Sequence, residues 1–218
     1  MMILGSVGAW ASPTDCMAAA TLADLIASNA SGGCEHQDKI FSNWVWTSTT
    51  AASSVDVVHE FTGSTGFVND VHGWQFSDPG GFTAGFTLSY TVTVVTNCLT
   101  NVNCGPEFGT DTSSQVIHAT VDQENSGLTP NGTSIVDTET AGTLTDTGAS
   151  TSAETAQLVY APLTVVNTSS TYTPNGGQLQ TYEQQFFEES TAVPEPATLA
   201  LCGGALVLLG FFKKRRGA

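Results

Sequence analysis

Positive charge is almost missing from this chain: Lys39 is the only cation ahead of Lys213, and no arginine occurs before Arg215. Residues 12–193 carry 19 acidic groups against that single lysine, a net charge of −18. Nucleic-acid affinity comes from Lys and Arg displacing counterions from phosphates, so a nucleic-acid partner is excluded. Anionic membrane surfaces and acidic polymers are repelled as well, whereas divalent cations and neutral glycans are not. The simplest use of such an acidic coat is to keep an exported domain dispersed.

Complete catalytic motifs are lacking too. There is no Gly-x-Ser-x-Gly turn, no His-Glu-x-x-His helix and no Gly-rich phosphate loop followed by Lys. Carboxylate pairs for glycoside hydrolysis are defined by separation in space, which spacing along the chain does not give. No internal repeat is present. The expectation is therefore a protein that is not an enzyme.

Long apolar stretches are confined to the two ends. Residues 2–11 are apolar and uncharged, and Ala9-Trp10-Ala11 has the small-x-small spacing that signal peptidase reads. The basic n-region is missing, which favours a start codon placed too late over a degenerate signal, so residues 1–11 are read as a signal-peptide remnant. Pro13, Thr14 and Asp15 before Cys16 are not a lipobox. At the other end Pro194, Glu195 and Pro196 precede an apolar run over 197–212, closed by Lys213, Lys214, Arg215 and Arg216. At about 1.5 Å per residue that run covers roughly 24 Å, somewhat less than a hydrocarbon core of about 30 Å. It is a marginal transmembrane helix, seated by snorkelling of its basic end and local thinning of lipid, with the cations (213–216) left inside. Gly203 and Gly204 suit a membrane segment better than a soluble core helix. The domain plan is thus a folded ectodomain over 12–187, a linker over 188–193 and a sorting tail over 194–218.

That tail resembles the PEP-CTERM sorting signal of bacterial proteins handled by exosortases, in which Pro-Glu-Pro is followed by a hydrophobic helix and an arginine-rich end. The resemblance implies an exosortase-like processing enzyme as partner, export across the inner membrane, transient anchoring, and then a place at the cell surface or in an exopolysaccharide or biofilm matrix. Cys34, Asp38, Lys39, Phe41, Ser42 and Asn43 ahead of an aromatic strand also look like an ectodomain opening that recurs in such proteins. It covers roughly residues 16–47 and confers no catalytic residues. The rival class, with the same address, is an exported glycan-binding module or hydrolase.

In an oxidising compartment Cys16, Cys34, Cys98 and Cys104 allow three pairings. Sequence-local pairing is favoured, Cys16 with Cys34 and Cys98 with Cys104, and a loop of the first length contributes on the order of 3 kcal/mol. Cys202, inside the apolar run, is left as a small apolar residue.

Thr14 or Asp15 is expected to cap a helix through Ser28, with Met17, Leu22, Leu25 and Ile26 on its packed side. The clearest strand is 82–96, where Phe86, Leu88, Tyr90, Val92 and Val94 alternate with Thr and Ser. Further strands are expected over 40–47, 55–61, 74–77, 115–121, 134–138, 157–166 and 179–187, with turns at Asp78-Pro79-Gly80 and Pro130-Asn131-Gly132. Beyond Thr138, up to Ala156, the sequence suggests a loop or a loose edge hairpin. The sum is a mainly β ectodomain, an antiparallel and jelly-roll-like sandwich with one short N-terminal helix.

Metal-binding residue types lie close together at His36 and Asp38, His59 and Glu60, and Asp70 and His72. Adjacent residues of a strand point to opposite faces, which weighs against His59 with Glu60, and the histidines are expected to be solvated or locally bonded, with His118 half-buried in mid-strand. No metal or cofactor is expected. Calcium is the better cation candidate, with oxygens available on Asp70, Asp78, Asp111, Asp122, Glu124, Asp137 and Glu139, although no Asp-x-Asp-x-Asp-Gly loop is present. Trp44, Trp46 and Trp74 invite a sugar-stacking platform, but large aromatics on one strand face are more often core.

Overall fold

Strands dominate the computed structural model, which describes residues 12–36, 39–62, 68–94, 116–126, 133–140, 142–147, 154–158 and 163–189. They are β1 (Thr14–Asp15), β2 (Cys34–His36), β3 (Lys39–Ser48), β4 (Asp56–Thr62), β5 (Val68–Phe82), β6 (Phe86–Val94), β7 (Val116–Ser126), β8 (Ser134–Glu139), β9 (Gly142–Thr147), β10 (Glu154–Leu158), β11 (Val165–Thr173) and β12 (Leu179–Glu189). A seven-stranded sheet has the order β1-β2-β3-β6-β11-β8-β9, and a five-stranded sheet the order β10-β7-β12-β5-β4. All pairings are antiparallel except the short one between β1 and β2. The protein is mainly β with one short α-helix, as the alternating pattern requires.

The period-two alternation makes β6 a template for the core. Phe86, Leu88, Tyr90, Val92 and Val94 are all buried, while the residues between them stay partly exposed. The two sheets meet through large rings: Trp44 of β3 stands edge-on to Trp74 of β5 at 5.6 Å, and Tyr90 of β6 lies edge-on to Phe186 of β12 at 6.2 Å. Full burial of one such side chain is worth roughly 1.5–3 kcal/mol.

One irregularity decides which residues of β3 join that core. Its register with β6 slips between Ser42 and Val45, and Asn43 takes a left-handed φ of 57°. Asn is among the few side chains that adopt this conformation readily. A bulge adds one residue to the strand and so exchanges its faces. Lys39 and Phe41 point inward before it, Trp44 and the half-buried Trp46 after it. The backbone groups of Trp44 are met by a side chain from another element: its N–H donates to Asn29 Oδ1 at 3.0 Å and its carbonyl accepts from Asn29 Nδ2 at 2.9 Å.

The N-terminal segment differs from expectation. Asp15 caps only a 3₁₀ turn, Cys16–Ala18, through a bond from the Met17 N–H. The α-helix α1 is Leu22–Ser28, started by a capping box in which Thr21 and Asp24 satisfy each other's backbone N–H groups. Cys16 is tied to Cys34 with Cα atoms 4.8 Å apart, while β1 pairs alongside β2; a helix running from Asp15 is incompatible with both contacts. Leu22 and Leu25 are buried and Ile26 packs against them, but Met17 is 60% exposed.

Two further differences have local causes. Asp78-Pro79-Gly80 is not a hairpin turn but part of β5, where Gly81 at φ 72° and a register shift opposite Leu179 and Thr181 mark an irregularity of the ladder. The strand expected over 157–166 is two strands on different sheets, β10 and β11. The segment up to Ala156 contributes β9, an edge strand hairpinned to β8. Among the described residues no helix is long and apolar enough to cross a membrane. Residues 1–11, Cys98, Cys104 and the whole tail, with Cys202, lie outside the described residues.

Candidate functional site

Two polar constellations lie against this apolar interior. The first is built from histidines of three strands. Val55, just ahead of β4, and Val57 of β4 are buried before His59, and on β5 His72, Trp74 and Phe76 share the inward face. His36 ends β2, opposite Lys39 in the β2–β3 ladder. These alternations converge, so that His36, His59 and His72 offer ligand nitrogens that all lie within 4.8 Å of one another. The ring centroids are 4.4 Å apart for His36 and His59, 5.7 Å for His36 and His72, and 6.3 Å for His59 and His72. Phe41 and Trp74 wall the group, edge-on to His59 at 6.0 and 4.8 Å.

Burial keeps the His59 and His72 rings neutral. Burial, reinforced by His36, pushes His59 down from 6.5 to about 3. Burial also drives His72 well below its ordinary value, aided by the charge of buried Lys39 and by His36 and His59. Both ring nitrogens of His59 are buried without a hydrogen-bond partner among the described residues. A neutral imidazole with free lone pairs is the form that binds a metal.

The expectation that the histidines are solvated or locally bonded fails at His59, whose two ring nitrogens are enclosed without a hydrogen-bond partner among the described residues. The strand-face argument itself holds: Glu60 is turned away from His59, where its Oε2 accepts from Gln185 Nε2 at 3.2 Å. What sequence spacing missed is that one histidine from each of three separate pairs meets the others. A usable signal was present in the inward parity of His72 with Trp74 and Phe76, and of His59 with Val55 and Val57. His118 lies on β7, and its side chain, like those of Asp38 and Asp70, is outside the described residues.

The second constellation centres on Asp137 and Glu139, which project inward from β8. Asp137 is fully buried, and its Oδ1 accepts from Thr168 and Ser170, each at 3.0 Å. Its Oδ2 accepts from Tyr182 at 3.2 Å and from Gln184 Nε2. The same Gln184 amide donates to Glu139 Oε1 at 2.5 Å and to Thr168 at 2.7 Å, while Gln184 Oε1 accepts from Tyr90. Burial raises both carboxyls, and Asp137 raises Glu139 further by charge repulsion, so Glu139 is held neutral at physiological pH. Glu139 and Tyr90 also border an open concavity of about 530 Å³, otherwise lined by side chains such as Asn43, Thr91, Thr140 and Asn167.

Among the described residues, Asp78, Asp137 and Glu139 are not gathered into one calcium ligand set. Asp137 and Glu139 are held by hydroxyl and amide donors, and Asp78 Oδ1 is occupied by the Gly80 N–H at 3.0 Å. Asp111 and the side chains of Asp70, Asp122 and Glu124 are outside the described residues. Among those described, the histidine cluster is the grouping of three or more side chains able to hold a metal. The tryptophans form no platform: Trp44 and Trp74 are 2% and 0% exposed, and Trp46 donates to the Thr50 carbonyl at 2.9 Å. No protein-family model, curated protein or solved structure matches the chain.

Proposed function

We propose that this chain is an exported, non-catalytic β-sandwich scaffold, sorted through its C-terminal tail by an exosortase-like enzyme and retained at the cell surface or in an exopolysaccharide matrix. Pro194, Glu195 and Pro196 mark the processing region, and Lys213, Lys214, Arg215 and Arg216 hold the membrane helix in place until it is removed. The observation that supports this best is the Cys16–Cys34 disulfide, which fastens the first 3₁₀ turn to β2. Such a bond persists in an oxidising compartment and is rare in a cytosolic chain.

The burial of the polar groups favours a scaffold over the rival hydrolase. Asp137 and Glu139 are engaged by Tyr182, Thr168 and Gln184 rather than left free for general acid–base work. The full-length chain, solubilised in detergent, is expected to hydrolyse no member of a glycan, ester and peptide panel, and Glu60→Ala or Asp70→Ala should change stability at most. Turnover of any panel substrate that one such substitution abolished would promote the hydrolase instead.

A further inference from the structure

We infer that His36, His59 and His72 form a binding site for a divalent transition metal, best suited to zinc, at the end of the core where β2 and β3 face β4 and β5. Three of the chain's four histidines meet at this point. Imidazole nitrogen suits zinc, copper and nickel, and three such ligands with an open fourth position is an established zinc coordination pattern. Metal–nitrogen bonds of about 2.0–2.1 Å in a tetrahedron place ligand nitrogens roughly 3.3 Å apart. The nitrogens lie within 4.8 Å of one another, so modest side-chain rotation closes the set without moving a strand.

The environment gives a second, independent reason. Both nitrogens of His59 are buried with no hydrogen-bond partner among the described residues, although Phe41 and Trp74 pack closely around the ring. Leaving a buried polar group unsatisfied costs about 1–3 kcal/mol, which coordination would offset. An ordinary core would place an apolar residue at that position. Lys39 is the opposing feature: it is buried opposite His36, and its charge acts on His72. A bound dication would feel that charge, so the lysine should weaken the site and tune it toward reversible binding. The inference does not depend on the scaffold or sorting proposal, since it concerns only the ligand set.

The test uses the full-length chain in detergent, prepared without a polyhistidine tag and stripped with chelator. Titration with Co²⁺ should give one saturable equivalent with the visible absorption of a low-coordinate nitrogen site, displaced by Zn²⁺. X-ray absorption of the zinc-loaded wild type should show imidazole scattering from three histidines. His59→Phe should weaken binding by at least the roughly 10–100-fold that loss of a supporting partner costs a metal site. His118→Ala should leave it unchanged, and Lys39→Met should tighten it. The X-ray measurement needs no variant, so a misfolded substitution does not decide the matter. Oxygen-only scattering, no saturable binding, or equal binding by a folded His59→Phe chain would overturn the site and assign any bound metal to the acidic surface.

Discussion

Glu139 and His59 are buried ionisable residues that push stability in opposite directions with pH. A carboxyl whose folded value is raised keeps a proton that the unfolded chain gives up, so its contribution is full at low pH and is lost as pH rises. For Glu139, facing Asp137, Tyr90 and Tyr182, that loss runs from its ordinary 4.5 up to about 9. A histidine whose folded value is lowered does the reverse. His59, facing His36 and His72, contributes fully above 6.5 and loses that contribution as pH falls toward about 3. In chelated buffer the chain should therefore be most stable in the mildly acidic range. Glu139→Gln should flatten the alkaline decline by roughly one to a few kcal/mol, and His59→Phe should flatten the acid one similarly. Chemical denaturation at several pH values checks both, and an alkaline limb unchanged in Glu139→Gln would show that this carboxyl is ionised in the fold.

At the scale of elements, the bulge in β3 and the end of α1 depend on each other. Asn29 supplies both a donor and an acceptor to the backbone of Trp44. Asn29→Ala removes these bonds and leaves part-buried groups unmet, so it should cost about 1–3 kcal/mol, read as a lower denaturation midpoint with an unchanged slope. A change within about 0.5 kcal/mol, the range of ordinary surface substitutions, would mean that water replaces the amide. Much of this level was legible in the sequence. The alternation of β6 and β12, the buried tryptophans and the Cys16–Cys34 pairing follow from period-two burial and short loop closure. The helix start was misplaced because Asp15 is a good cap for any turn, and the competing Thr21–Asp24 box, four residues ahead of Leu25, carried the stronger signal. Neither the slip at Asn43 nor the splitting of 157–166 was legible, because both are set by pairing with residues far away in sequence.

The whole molecule joins an acidic exterior to an interior holding a neutral carboxyl and neutral imidazoles. The histidine centre belongs to this scale. Its three members are contributed by strands of both sheets, so no local spacing encodes them, and only the assembled topology brings β2 against β4 and β5. The acidic surface, the disulfide and the Pro-Glu-Pro tail were readable early because each is written in contiguous residues or in overall composition. Together they are what the proposed export and scaffold role rest on. The most direct test is intact-mass measurement, without reduction, of the species recovered outside the producing cell. The account predicts a chain that ends in the region of Pro194, Glu195 and Pro196, lacks Phe211 and the four following cations, and carries the mass of a closed Cys16–Cys34 bond. An exterior species that retains the basic end, or that is fully reduced, would contradict it.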